Sequence, residues 1–148
     1  MAIPDPDTIL AHLSYDALSA AVLAGIAVGL SDGKLAGNEL GEITSTIQTM
    51  VGGKLGWDEV STLVNASWTY ASQHGTDASI AHASAHLWAD PVVGGTVISL
   101  AAAVAQKSGG IGTAEGLAIR KLASYVGVEP DSKPYFELLA AGQALGRA

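Results

Sequence analysis

Few side chains in this chain are spaced so that they could do chemistry. The most specific run is Ser31-Asp32-Gly33-Lys34-Leu35-Ala36-Gly37-Asn38-Glu39-Leu40, an Asp-Gly turn followed by a glutamate that enters the next helix. Gly33 can supply the positive φ that such a turn needs, Leu35 can tuck beneath it as a plug, and a helix N-terminus favours the negative charge of Glu39. A second set is His82 and His86, four apart, a spacing that puts two imidazoles on one helical face, where they can chelate zinc. The intervening Ala83-Ser84-Ala85 lacks the glutamate base of a zinc hydrolase, and Asp90, standing before Pro91, is better used as a helix cap. The histidine pair is therefore expected to be solvated or to pack between helices. His12 and His74 have no partner in the sequence.

Other patterns are weaker. Asp32, Gly33, Leu35 and Glu39 match the second half of an EF-hand loop, but its first ligands would fall on Val28 and Leu30, which cannot ligate a hard cation. Trp57, Trp68 and Trp88 could stack a ligand, yet large aromatics among small residues more often anchor helix crossings. Gly109-Gly110-Ile111-Gly112 follows a helix rather than a strand and has no Lys-Ser/Thr pair, which argues against a phosphate loop. No serine sits in a nucleophile elbow, so the chain is expected not to be an enzyme.

The elements that must position these residues read as helices throughout. Asp5-Pro6-Asp7 can open a short helix through Leu13, and Ser14 can cap a second carrying Leu18, Val22, Ile26 and Leu30 at fourfold spacing until Gly33 ends it. Asn38 can cap a third from Glu39 to about Val51, closed by Gly52-Gly53, and a fourth runs from Asp58 to Ser72. Thr76 or Asp77 caps a fifth through Trp88, and Asp90-Pro91 opens a sixth to about Gln106. Thr113 caps the next to Val126, and Asp131 or Ser132 caps the last, through about Leu145. No strand alternation appears. The expected fold is an all-α, single-domain helical bundle of seven or eight helices.

Shifting the chain by 76 residues lays Val22 to Met50 on Ile98 to Val126 without a gap. It pairs Ala27 with Ala103, Val28 with Val104, Gly33 with Gly109, Glu39 with Glu115 and Ile43 with Ile119. These are positions with structural work to do: helix face, turn glycine, first-turn acid. We read two related helix–turn–helix halves, approximately 14–52 and 90–128.

Composition limits the function. Hydrophobic residues make up 49% of the 148, but aromatics only 5%, so Ala- and Gly-rich helices must approach closely. A net charge of -7 repels phosphate backbones and argues against a nucleic-acid partner. The two greasiest windows, Ala17 to Leu30 and Val92 to Ala105, fall short of the ~20 residues of a membrane span and are read as core helices rather than membrane insertions. The absence of cysteine and an acidic start without a basic leader suggest the cytoplasm.

A helix ending in a short Asp-Gly turn and followed by a helix with an early glutamate, present twice, resembles the TerB family of tellurite-resistance-associated proteins. The matching stretches are Ala24 to Met50, with Asp32-Gly33-Lys34-Leu35 and Glu39, and Val104 to Val128, with Gly109-Gly110-Ile111 and Glu115. The resemblance implies a small, acidic, non-enzymatic helical module linked to stress response and tellurium-oxyanion resistance, with acidic residues binding a divalent metal ion, calcium or magnesium. Ser108 stands where the second turn should carry an Asp. The candidate ligands are therefore Asp32, Glu39 and Glu115 rather than two equal sets. A protein partner or a homo-oligomer is also implied. The alternative is a purely structural helical adaptor whose acidic turns only cap helices.

Overall fold

The computed structural model describes residues 2–33 and 35–148, so Lys34 of the acidic turn lies outside the described residues. Among the described residues there are eight α-helices and no strands. They are α1 (Pro6–His12), α2 (Tyr15–Leu30), α3 (Leu40–Met50), α4 (Trp57–His74), α5 (Thr76–Ser84), α6 (Pro91–Lys107), α7 (Thr113–Val126) and α8 (Lys133–Arg147), with a 3₁₀ turn (Gly37–Glu39) before α3.

Most helix starts follow from local chemistry, although three of the expected caps differ, among them that of α5, which starts from Gly75 and not from a side chain of Thr76 or Asp77. Asp5, Ser14, Asp90 and Ser132 each accept an amide hydrogen from the first turn of α1, α2, α6 and α8. The 3₁₀ turn and α7 instead start from Ala36 and Gly112, not from side chains of Asn38 and Thr113. Their amides are satisfied from the other direction: Glu39 Oε1 accepts from Ala36 N–H at 2.8 Å and Glu115 Oε1 from Gly112 N–H at 2.8 Å. The same back-reaching bond, Gly56 N–H to Glu59 Oε1 at 3.3 Å, opens α4. Helix α5 ends at Ser84 rather than Trp88, because the amides of Ala85, His86 and Leu87 bond three residues back, to His82, Ala83 and Ser84 C=O, instead of four.

The helix starts recur at the same 76-residue offset over a longer stretch than the matched residues. Helix α2, the 3₁₀ turn and α4 begin at Tyr15, Gly37 and Trp57; α6, α7 and α8 begin 76 residues later, at Pro91, Thr113 and Lys133. Gly33 N–H bonds Leu30 C=O at 3.0 Å, and its counterpart Gly109 N–H bonds Gln106 C=O at 3.4 Å. Each half thus contributes three matched helices, preceded by α1 in one and α5 in the other.

Packing between the halves is partly reciprocal. The central helices α2 and α6 pack against each other; α4 lies on α2 as α8 lies on α6. Across the halves, α7 contacts α2 while α3 contacts α6, and α5 contacts α2 while α1 contacts α6. The exchange is partial: the α3–α4 and α6–α7 contacts have no comparable counterparts in α7–α8 and α2–α3. Almost every residue of α2 from Ala17 to Gly29, and every residue of α6 from Val93 to Ala105, is buried, as expected for helices apolar on all faces. No single helix among the described residues is long and apolar enough to cross a membrane.

Small residues make the crossings close. A Cβ on Gly29 would lie 2.8 Å from Val104 Cγ1, and one on Gly142 would collide with the Ser99 carbonyl oxygen, so α2–α6 and α6–α8 each depend on glycine.

Candidate functional site

The two turns meet at the end of α2. Asp32 follows the last turn of α2, and Glu115 sits in the first turn of α7, which packs on α2. Gly33, at φ +74°, carries the chain away from α2, and Leu35 turns back under it as a buried plug beside Gly29. In the second turn Gly109 and Gly110, at φ +114° and +105°, do the same work, and Ile111 packs partly buried on the core.

Glu115 is only 1% exposed, a rare state for a glutamate. One carboxyl oxygen, Oε1, accepts from Gly112 N–H. The other, Oε2, is buried and meets no N–H or O–H donor, and the carboxyl of Asp32 lies within interaction distance of the Glu115 carboxyl. Two carboxylates are both acceptors, so the contact requires a proton or a cation between them. Burial pushes the Glu115 carboxyl above its ordinary range, and the Asp32 carboxyl pushes the same way, against the pull of its own backbone N–H and that of Gly112. Both effects favour the protonated form of Glu115.

The arrangement differs from the grouping that the sequence suggests. Asp32 and Glu39 belong to one turn, yet the structure brings Asp32 together with Glu115 of the other half. Glu39 is occupied with the Ala36 amide. At the 76-residue offset, the counterpart of Asp32–Glu115 is Ser108–Glu39. Ser108 there donates to Ala105 C=O at 3.1 Å, and Glu39 is partly exposed. A single carboxyl pair results, not two. No three His, Cys, Asp or Glu side chains are grouped to hold a metal ion among the described residues, so Asp32, Glu39 and Glu115 do not form one triad. Beside the pair lies a cleft lined by Ser31, Thr76, Asp77, Ala114, Leu117 and Lys121, with Ser31 and Ala114 the chain neighbours of Asp32 and Glu115.

The remaining candidates are dispersed. His12, for which the sequence offers no partner, has Nε2 2.8 Å from Asp90 Oδ2, and its ring lies 6.0 Å from that of Trp88. The same Asp90 oxygen caps α6 through Val92 and Val93, as its place before Pro91 suggests. Trp57 and Trp88 are about half exposed while Trp68 packs against the core, and no two of the three are in ring contact among the described residues. His12–Asp90 joins positions distant in sequence, which no local spacing could reveal.

Fold and site together define an all-helical bundle in which the buried carboxyl of Glu115 on α7 meets that of Asp32 at the end of α2. No family model, no curated protein and no solved structure matches the chain.

Proposed function

We propose that this chain is a non-enzymatic, TerB-like module of the cytoplasm that holds a divalent cation between Asp32 and Glu115 and works with a protein partner in a stress response of the kind linked to tellurite resistance. The observation that carries the cation is Glu115 Oε2: a buried carboxyl oxygen with no donor, beside a second carboxyl. An all-oxygen pair suits a hard cation, and magnesium, commonly bound through one or two carboxylates while keeping several waters, fits two carboxyls better than calcium, which takes six or more oxygens. The stress-response role and the partner rest on the resemblance of the two turns, with Asp32, Gly33, Leu35 and Glu39 in one and Gly109, Ile111 and Glu115 in the other.

The residues divide the work. Gly112 fixes one Glu115 oxygen by its amide and leaves the other without a donor. Cation binding releases the Glu115 proton, so affinity falls as the pH is lowered. The test is calorimetric titration of magnesium and calcium into the wild type, Asp32→Asn and Glu115→Gln. The expected result is binding to the wild type and a loss on the order of tenfold or more in each variant. Absence of binding to the wild type overturns the cation reading and leaves the second one, a structural adaptor in which the pair only shares a proton and ties α2 to α7.

A further inference from the structure

The cation reading uses none of the four histidines, although two of them share a cleft with a carboxylate. His82 and His86, at the end of α5, line a cleft of about 120 Å³ together with Asp16, Ser19 and Leu23 of α2. Asp16 stands in the first turn of α2, and α5 packs along α2, so the tertiary contact brings a carboxylate from a distant part of the chain to the two imidazoles. The rings of His82 and His86 are 6.2 Å apart at 63°. On its other side His82 stacks against Tyr70 at 4.8 Å and 30°, and Tyr70 in turn meets His74 at 4.2 Å. One face of the His82 ring is thereby held while its edge remains available.

The geometry points to a transition-metal site, zinc by ligand chemistry, formed by His82, His86 and Asp16. Two imidazoles and a carboxylate are nitrogen and oxygen donors of the set that zinc takes when a fourth position is left to water. The three stand around the cleft and are not already closed on one point. All three are exposed, so drawing them together needs side-chain rotation without disturbing the core. The cleft volume exceeds the ≈ 30 Å³ share of a single water, which leaves room for the ion and a bound water. Ser19 can orient a ligand from the cleft wall.

The experiment is zinc titration by calorimetry, with imidazole proton and nitrogen NMR shifts as the second readout. It compares the wild type with His82→Ala, His86→Ala, Asp16→Asn and His74→Ala; Asp32→Asn serves as a control for the carboxyl pair. The expected result is one zinc per chain, with affinity lowered on the order of tenfold or more by each of the first three changes and held within about twofold by His74→Ala and Asp32→Asn. The His82 and His86 signals shift together on zinc addition while that of His12 stays in place. Asp16, His74, His82 and His86 are exposed and Asp32→Asn is nearly isosteric, so the variants are expected to fold, and far-ultraviolet circular dichroism verifies it. No zinc binding by the wild type, affinity unchanged in either histidine variant, or affinity unchanged in Asp16→Asn overturns the three-residue site. Zinc lost only in Asp32→Asn likewise overturns it and assigns the metal to the carboxyl pair.

Discussion

The carboxyl of Glu115, at the start of α7, lies within interaction distance of the carboxyl of Asp32, at the end of α2, while one Glu115 oxygen is held by the Gly112 amide. The two acids lie in different halves of the chain. Their contact is therefore a property of the interface between the halves, and four testable consequences follow from it and from the packing around it.

Glu115→Gln keeps an acceptor for Gly112 and offers an N–H to Asp32. The raised Glu115 pKa means that the folded state binds a proton more tightly than the unfolded chain. Its stabilising contribution is full below the ordinary value of 4.5 and is lost as the pH rises through the higher folded value. The glutamine stays neutral, so at pH 7.5 in the absence of divalent ions the variant is expected to be more stable than the wild type by about 1 kcal/mol. Urea unfolding at pH 4 and 7.5 checks this: the difference should shrink at the lower pH, and a destabilised variant at pH 7.5 counts against a shared proton.

Glu39→Ala separates the two glutamates that the repeat makes equivalent. It removes the bond to the Ala36 amide and should cost about 1 kcal/mol of stability. Magnesium affinity should stay within about twofold of the wild type, because Asp32 is paired across the halves and not within its own turn. Calorimetry on the folded variant decides between the two pairings.

Glycine positions should respond in opposite directions. Gly142→Ala drives a methyl group into the Ser99 carbonyl and within 2.7 Å of Ala102 Cβ, neither of which can rotate away, and should cost about 3 kcal/mol. Gly41→Ala lies in α3 with nothing within 4 Å of the new carbon, and should gain about 0.5–1 kcal/mol from the unfolded-state entropy removed. Thermal melts of the pair read both effects against the same wild type.

Asp90 joins α1 to α6. Burial pushes its carboxyl up, but the amides of Val93 and Val92 and the His12 ring outweigh this and hold it below the ordinary 3.8. A depressed acid stabilises the fold above its ordinary pKa and loses that contribution as the pH falls through the folded value. Asp90→Ala should therefore cost about 1–2 kcal/mol at pH 7, with the gap to the wild type closing as the pH falls below the ordinary 3.8. Denaturant midpoints across that range measure it.

Local sequence determined most of the secondary structure, because a cap or a turn glycine acts within a few residues. Asp5, Ser14, Asp90 and Ser132 stand where their helices begin, and Gly33 and Gly109 where the turns need positive φ. Fourfold apolar spacing likewise marked α2 as a helix, and the 76-residue offset marked the recurrence of the helix starts. The start of α7 was less legible, since its amide is satisfied by Glu115 reaching back to Gly112 and not by Thr113 reaching forward. The pairing of Asp32 with Glu115, of His12 with Asp90, and of Asp16 with the cleft of His82 and His86 was decided only in three dimensions. Each joins residues on helices that meet because α2 and α6 are narrow enough, through Ala and Gly, for neighbours to pack on every side. Periodicity reports which face of a helix is apolar; it carries no information about which other helix that face will meet.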